Sequence, residues 1–294
     1  MHIGIAASRI YREAPAGELF ALAREIFPSL LGPLGARISI VGQTYDALEA
    51  QGLIPTGAAV TRLPSRRKGG VIHLVAGVVE RNVPSAIDAA FFLLDPDDPT
   101  SIFPEGLALK RECVIHSRPF VSTLAHAREW VELARVRCGL APEPALNPWF
   151  DFSRQCIALV AHDARKSDML AFVERHFDLL DSFSRRIATG TTGRLLNELA
   201  AARGRKDWVE PYQSGPRGGD AQIAREVLEE RCQRILFFED AHVAREHEAD
   251  IQLLERSARI RSEQTMCLSD PLTAERWAVA IKQRTAAAQD ARNS

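Results

Sequence analysis

The feature that most constrains the fold is a repeated alternation of short apolar runs with longer amphipathic segments. Apolar runs rich in β-branched residues predict buried strands, and amphipathic segments predict helices that cover a sheet. Strand and helix in repetition favour an α/β fold with a mainly parallel sheet flanked by helices. The predicted strands are 3–7, 38–41, 71–79, 90–94 and 114–115, then 157–161, 186–189, 234–238 and 265–268, and the predicted helices include 16–31, 167–180, 220–230 and 273–281.

The two halves of the sequence also resemble each other. IGIAASR resembles IALVAHD, ISIVGQTYDAL resembles RIATGTTGRLL, and SRRKGGV resembles SGPRGGD. FFLLDP and AHAREW have counterparts in LFFEDA and LTAERW. Because the five matches keep their order, we interpret the chain as two copies of one domain. The aligned pairs, separated by 145 to 154 residues, are Ser8 with His162, Gly42 with Gly190, Gly70 with Gly219, Asp95 with Asp240, and Trp130 with Trp277.

This repeat predicts the domain organisation. A length of 294 residues fits two domains of about 150 residues each. The segment GLAPEPALNPW carries three prolines, which remove backbone donors and resist helix continuation. We therefore predict one domain over 1–138, a Pro-rich linker over 139–152, a second domain over 153–284 and a polar tail over 285–294.

Composition excludes several classes of protein. Lys plus Arg number 37 and Asp plus Glu number 38, giving a net charge of −1, so no overall positive field would attract nucleic acid. Five widely spread cysteines without a C-x-x-C pair indicate reduced thiols, and not a disulfide scaffold or a zinc site. The N-terminus is unlike a signal peptide, and no apolar run approaches the length of a membrane span. We expect a cytoplasmic protein with no nucleic-acid or membrane partner.

Polar residues that could carry chemistry follow the predicted strands of the second half. The segment HDARK follows strand 157–161, TGTTGR follows strand 186–189, and SGPRGGD comes before the next helix. In parallel sheets the carboxyl ends of the strands form the usual ligand edge. Glycines, threonine hydroxyls and helix N-termini at that edge favour phosphate binding. The candidates are His162, Asp163, Lys166, the run Thr189 to Arg194, Ser214, Asp220, His247 and Asp250.

Each candidate also has a simpler interpretation. A single G-T-T-G turn is common after strands, and Asp220 alone would usually be a helix N-cap. His162 could bond a backbone carbonyl, His247 lies in a charged run, and Lys166 could be a surface residue. The joint occurrence of all of them at successive strand ends favours a functional site.

Four motifs carry a resemblance to a known family. VAHDARK, ATGTTG, SGPRGGD and the FFED segment with its later H-x-x-D, over about residues 155–280, resemble methylglyoxal synthase. The resemblance implies two tandem methylglyoxal synthase-like domains, of which the first is degenerate. It also implies a carbon–oxygen lyase that converts dihydroxyacetone phosphate into methylglyoxal and phosphate without a metal or organic cofactor. The assemblies of this family imply a homo-oligomer, and three tandem chains would supply the six domains of a hexamer.

The resemblance implies roles for individual residues. Asp220 would be the base, His247 would polarise the carbonyl, and Asp250 would support His247. His162 and Asp163 would line the site beside the substrate oxygens. The chain departs from the family pattern at Glu239, Ala241, Asp270, Arg217 and Ala221, and in its C-terminal tail. The residues that would hold the phosphate are Lys166, Thr189, Gly190, Thr191, Thr192, Ser214 and Gly215.

The first copy lacks this chemistry. Ser8 and Arg9 stand opposite His162 and Asp163, Val71 stands opposite Asp220, and Ile102 stands opposite His247. A structural or regulatory role is therefore expected for it. Its basic turn, residues 65–68, has two interpretations, an anion site or a solvated turn. For the whole chain, the alternative to an enzyme is a non-catalytic regulatory protein that binds a phosphate ligand.

Overall fold

The computed structural model describes residues 1–13, 17–57, 59–95, 104–242 and 248–293, with the backbone alone at 248–252 and 291–293. The chain divides into two compact units, Met1–Leu140 and Ala141–Ser294. Each unit contains a five-stranded parallel sheet flanked by helices. The predicted α/β fold class is therefore confirmed.

In the first unit the strand order is β3-β2-β1-β4-β5. All four strand pairs are parallel, and β1 is central, with Ile3 paired to Ile38 of β2 and to Ala89 of β4. The strands are β1 (His2–Ala7), β2 (Arg37–Val41), β3 (Val60–Leu63), β4 (Ala89–Leu93) and β5 (Phe120–Val121). The helices are α1 (Arg9–Glu13), α2 (Glu18–Leu31), α3 (Gly42–Ala50), α4 (Gly70–Val79), α5 (Pro104–Ile115) and α6 (Leu124–Arg137).

In the second unit the order is β10-β9-β6-β7-β8, which is the same order read from the opposite edge. Its strand pairs are also parallel, and β6 takes the central place. The strands are β6 (Cys156–Ala161), β7 (Arg185–Ala188), β8 (Glu210–Pro211), β9 (Arg234–Phe238) and β10 (Met266–Leu268). The helices are α7 (Lys166–Arg175), α8 (Phe177–Asp181), α9 (Gly190–Ala201), α10 (Gly219–Leu228), α11 (Glu248–Ile260) and α12 (Pro271–Asn293).

The central strands are apolar throughout because both faces of each sheet are covered. In β1, Ile3 and Ile5 pack into the core on one face, and Ala6 packs into the core on the other. Successive side chains of a strand point to opposite faces, so a strand covered on both sides needs apolar residues at every position. This requirement explains why the strongest strand predictions, 3–7 and 157–161, are correct.

Some predicted elements are wrong. Residues 71–79 form most of helix α4, and residues 114–115 end helix α5. An apolar run of nine residues has no periodicity that separates a buried strand from a buried helix. The actual strands β3, β5 and β8 have only two to four residues each, too few for a hydrophobic pattern. Predicted helix 167–180 is divided at His176, and predicted helix 273–281 extends to Asn293.

The Pro-rich segment has regular local structure. Pro144–Phe150 and Phe152–Arg154 form 3₁₀ helices that belong to the second compact unit. The guanidinium of the buried Arg234 lies 4.8 Å from the ring centres of both Trp149 and Phe152. Cation–π contacts of this kind stabilise a charged guanidinium in the protein interior.

No helix in the described ranges is long and apolar enough to cross a lipid bilayer.

Glu226 of α10 is a buried carboxylate held by two arginines. Its oxygens lie 2.7 Å from Nη2 of Arg231 and 2.5 Å from Nη1 of Arg185. Hydrogen bonds from Arg231, and then from Arg185 and Tyr212, lower the pKa of Glu226 from 4.5 to about 2. A carboxylate whose pKa is lower in the folded state contributes stability above its unfolded pKa and loses that contribution as the pH falls toward its folded pKa.

Glu226→Gln is therefore expected to lower Tm at pH 7 by roughly 3–6 °C, the effect of losing about 1–2 kcal/mol. The Tm difference from wild type should shrink between pH 4.5 and pH 2, and thermal unfolding followed by circular dichroism across this range measures it. Glu229→Gln is the matched control, because Glu229 pairs with Arg231 while remaining exposed. An equal loss in both variants, or a difference that persists at pH 2, would contradict the prediction.

Candidate active site

A cleft opens at the carboxyl edge of the second sheet, where β6, β7 and β8 end. Its volume is about 590 Å³. Parallel strands bring the loops that follow them to one edge, and three such loops supply the lining. The cleft contains eight of the predicted site residues, His162, Asp163, Lys166, Thr189, Thr191, Ser214, Gly215 and Asp220, together with Val160, Ala161, Ala164, Pro216 and Phe237.

Gly190 and Thr192 lie behind this lining and shape it. The Gly190 N–H donates to Gln213 O at 2.9 Å. A Cβ at Gly190 would lie 2.9 Å from Tyr212 O and 3.0 Å from Ser214 N, so only glycine permits this approach of two loops. Thr192 is buried, and its Oγ1 lies 3.4 Å from Oγ1 of Thr189. These two predicted residues position the loops and do not face the cleft.

The turn before α10 places the Asp220 carboxylate. Gly218 has a φ of +90°, and a Cβ at Gly219 would lie 1.9 Å from Gln213 O. Gly218 is the N-cap, so Asp220 lies within the first turn of α10 and is not the cap that the simpler interpretation expected. Only 6% of Asp220 is exposed. A Cβ at Gly215 would lie 2.8 Å from Oδ2 of Asp220, so the carboxylate lies directly against the turn.

His162 is held in one orientation at the end of β6. Its Nδ1 accepts a hydrogen bond from the Asp240 backbone N–H at 2.9 Å. The ring packs edge-on against Phe237, with 5.0 Å between ring centres. Because Nδ1 is the acceptor, the neutral imidazole carries its proton on Nε2. His162 can thus act as a fixed hydrogen-bond donor through Nε2.

Lys166 supplies the cation of the cleft. It is the first residue of α7, and its Nζ forms an ion pair with Asp163, whose side chain is 95% exposed. An exposed carboxylate is well solvated and gains little from such a pair. Lys166 therefore remains available to a stronger anion, such as a phosphate group, in the cleft.

A second cavity of about 920 Å³ lies near the opposite edge of the same sheet. It is lined by side chains of 147–155, by α12, and by Gln233 and Gln264, which precede β9 and β10. None of the described site residues lies there. Size alone does not identify this cavity as the reaction site, because none of the predicted catalytic or phosphate-binding residues that the structure describes lines it.

The chain resembles characterised proteins of one family. It is 40% identical over 106 residues to a methylglyoxal synthase from Thermus thermophilus, covering 36% of this chain and 79% of that protein. It is 41% identical over 111 residues to methylglyoxal synthase from Treponema socranskii, covering 38% and 70% respectively. The chain belongs to the methylglyoxal synthase family.

A solved structure in this family, methylglyoxal synthase from Elizabethkingia anophelis NUHP1, shares 34% sequence identity with the chain. That comparison covers 42% of this chain and 76% of the other, with a TM-score of 0.35. No family model matches the chain. Membership in the methylglyoxal synthase family therefore rests on relatives that span little more than a third of these 294 residues.

Two predicted catalytic residues are not placed by the structure. His247 lies outside the described residues, and Asp250 lies in α11, where only the backbone is described. The cleft of this methylglyoxal synthase-family chain contains the predicted base and five of the seven predicted phosphate-binding residues. Among the described residues, no group of three His, Cys, Asp or Glu side chains could hold a metal ion.

Asp240 contributes to the site although no sequence motif predicted a role for it. Its amide fixes His162, and its Oδ1 accepts the His242 N–H at 3.0 Å. The available signal was its place in the repeat opposite Asp95, whose amide donates to Ser8 Oγ at 3.1 Å. In both units, therefore, a backbone N–H after β4 or β9 donates to the side chain of the residue that follows the central strand.

Three of the residues that depart from the methylglyoxal synthase pattern lie outside the cleft. Asp270 is buried, and its Oδ1 accepts the N–H groups of Leu272 at 3.1 Å and Thr273 at 3.0 Å. It is therefore an N-cap of α12. Glu239 is buried after β9, whereas Ala221 of α10 is exposed. None of these three residues lines the cleft.

Proposed function

We propose that the second unit converts dihydroxyacetone phosphate into methylglyoxal and inorganic phosphate. The observation that carries the proposal is the Asp220 carboxylate, buried in the same cleft as Lys166 and the hydroxyls of Thr189, Thr191 and Ser214. A protein that only binds a phosphate has no need for a buried carboxylate beside it, since like charges repel. A base beside an anion site fits proton abstraction followed by phosphate elimination.

In the proposed reaction Asp220 removes a proton from the carbon that bears the substrate hydroxyl. The C–H electron pair forms a carbon–carbon double bond, and the carbonyl oxygen takes up the negative charge. The hydroxyl proton then passes to this oxygen, and the electrons left on the hydroxyl oxygen form the aldehyde. The double bond shifts toward the phosphate-bearing carbon, the carbon–oxygen bond breaks, and the phosphate leaves with the proton that Asp220 had taken up. The remaining enol aldehyde tautomerises to methylglyoxal. Atoms and electrons balance without an oxidant or reductant.

Hydrogen-bond donors must stabilise the enediolate as it forms. His162 offers Nε2–H from an orientation fixed by Asp240. The family resemblance adds His247 as the group that polarises the carbonyl, supported by Asp250. A neutral imidazole donates its N–H to the enediolate oxygen and does not compete with Asp220 for the proton of the substrate carbon.

The leaving phosphate requires cations and N–H or O–H donors. Lys166 provides the charge, and the loop at the start of α9 provides hydroxyls and the N–H groups of a helix N-terminus. Ser214 and Gly215, from the neighbouring loop, also line the cleft. The proposed phosphate-binding residues are Lys166, Thr189, Thr191, Ser214 and Gly215, with Gly190 and Thr192 positioning the loops behind them and His162 and Asp163 beside the substrate oxygens.

The proposal is tested by incubating the purified full chain with dihydroxyacetone phosphate. Methylglyoxal and phosphate should appear in equal amounts, measured in the same samples. Phosphate release without methylglyoxal would indicate simple ester hydrolysis and overturn the proposal. Binding of the substrate without turnover would favour the non-catalytic alternative.

We also propose that the two units arose by duplication of one domain and that the first is non-catalytic, with domains at 1–138 and 153–284. The proposed assembly is a homo-oligomer in which three chains supply six domains. Light scattering measures the mass of the assembly in solution, and a monomer would overturn this part of the proposal.

A further inference from the structure

The first unit carries a basic turn that the proposed reaction does not use. The turn follows β3 and consists of Ser65 and the 3₁₀ helix Arg66–Lys68, before α4 begins at Gly70. All three basic side chains are exposed, whereas Ser65 is partly buried. The turn lies at the carboxyl edge of the first sheet, the edge that forms the cleft in the second unit.

The backbone of this turn matches the backbone of the cleft. Gly69 and Gly218 have φ values of +82° and +90°. The next residues, Gly70 and Gly219, would place a Cβ 2.0 Å from Pro64 O and 1.9 Å from Gln213 O. Two backbone hydrogen bonds also recur in both units. Within the turn, Lys68 N donates to Ser65 O at 2.9 Å, as Arg217 N donates to Ser214 O at 2.9 Å. Between the loops, Gly42 N donates to Pro64 O at 3.1 Å, as Gly190 N donates to Gln213 O at 2.9 Å. Residues of the two units can therefore be aligned by their place in the fold.

The alignment shows that a cation and a serine of the cleft are kept in the first unit, whereas Thr189, Thr191 and the two carboxylates are replaced. Arg12 lies four residues after Ser8, as Lys166 lies four residues after His162, and Ser65 takes the place of Ser214. The two carboxylates of the cleft are replaced, since Arg9 stands for Asp163 and Val71 for Asp220. The two positions that are carboxylates in the cleft of the second unit are therefore an arginine and a valine in the first.

One further change adds a cation. Arg66 stands where the second unit has Gly215. A Cβ at Gly215 would lie only 2.8 Å from the Asp220 carboxylate. The residue aligned with Asp220 in the first unit is the buried Val71, which has no carboxylate. Because the first unit has no carboxylate at position 71, its turn has room for the arginine side chain at position 66.

Arg12 and Arg66 take the places of Lys166 and Gly215, which line one cleft in the second unit. Arg12 is half-buried, and its Nε donates to Ser8 O at 3.4 Å. Burial, and then the charges of Arg66 and Arg9, lower the pKa of the Arg12 guanidinium, while Glu13 acts in the opposite direction. Arg9 forms an ion pair with Glu13 at 2.5 Å. The positive charge of Arg66 acts against that of Arg12, and a bound anion would offset this repulsion.

We propose that Arg12, Ser65 and Arg66 of the first unit form a binding site for a phosphate dianion, either inorganic phosphate or the phosphate group of a monoester. Two guanidinium groups and a hydroxyl match the oxygens of a tetrahedral dianion. Val71 in place of a base means that the ligand is bound and not transformed. The choice of phosphate rests on the cradle proposed for the second unit, but this site takes no part in the reaction proposed there.

Isothermal titration calorimetry on the full chain tests this proposal, with inorganic phosphate and glycerol 3-phosphate as separate probes. A Lys166→Met background weakens phosphate binding in the second unit, so the remaining binding reports on the first. Adding Arg12→Gln and Arg66→Gly should raise Kd by about tenfold for each arginine removed. Glycine at position 66 restores the residue that the aligned turn carries, and thermal unfolding confirms that the variant is folded.

Arg24→Gln is the matched control, because Arg24 is an exposed arginine of α2 in the same unit. An unchanged Kd in the Arg12/Arg66 variant, or an equal change in the control, would overturn the site. Whichever probe binds more tightly identifies the source of the dianion. Turnover of dihydroxyacetone phosphate should continue in the Arg12→Gln/Arg66→Gly chain that retains Lys166, so the two proposals can fail separately.

Discussion

Asp220→Asn is expected to lower kcat for dihydroxyacetone phosphate about 10³-fold, within the range that a positioned general base contributes. Asparagine keeps the shape of the side chain and its contact with the turn at Gly215, but its amide cannot accept the substrate proton. Since the phosphate-binding groups are unchanged, KM should change little. Steady-state kinetics of methylglyoxal formation separates the two parameters.

Asp168→Asn is the matched control for this prediction. Asp168 also lies in the first turn of a helix that follows a strand of the same sheet, but it does not line the cleft. Its replacement should leave kcat close to that of the wild type. Full turnover by Asp220→Asn would remove Asp220 from the role of base, and an equal loss in both variants would indicate a general effect of charge.

Lys166→Met is expected to raise KM for dihydroxyacetone phosphate by about 10- to 100-fold, the effect of losing a charge-assisted hydrogen bond to a phosphate. Methionine keeps most of the apolar stem of the lysine and removes only the ammonium group. The inhibition constant of inorganic phosphate against turnover should rise by a similar factor, because both ligands place a phosphate in the same cradle. Inhibition kinetics with phosphate measures this change at the reacting site alone.

Lys282→Met tests whether the effect is local. Lys282 is an exposed lysine of α12 and does not line the cleft, so the same change of charge there should leave KM and phosphate inhibition unaltered. An unchanged KM in Lys166→Met would mean that the ammonium group does not contact the phosphate. A matching rise in both variants would point to the overall field of the protein and not to a binding site.

The sequence predicted the fold where physical constraints act along the chain. Strands 3–7 and 157–161 are buried on both faces and must be apolar at every position, so they are visible in the sequence. Helix α4 is apolar on nearly every face, and its residues were therefore mistaken for a strand. Edge strands such as β8, with two exposed residues, leave no hydrophobic pattern to detect.

The sequence also predicted most of the candidate site. The polar motifs follow successive parallel strands, and that connectivity alone brings them to one edge of the sheet. Contacts between distant segments were not predictable, because they depend on distances across the sheet. The Asp240 amide on His162 and the approach of Gly190 to Tyr212 O are contacts of this kind.

The sequence by itself determined the α/β class, the family and the residues that gather in the cleft, since strand alternation and local motifs are written along one chain. Only the tertiary structure decided which glycines are obligatory, that Asp220 is a buried side chain and not a helix cap, and that Asp270 caps α12. It also showed that the turn after β3 in the first unit has the same backbone hydrogen bonds as the turn that forms the cleft in the second. These properties depend on which atoms of distant segments approach each other, and that is fixed only when the sheets and helices pack.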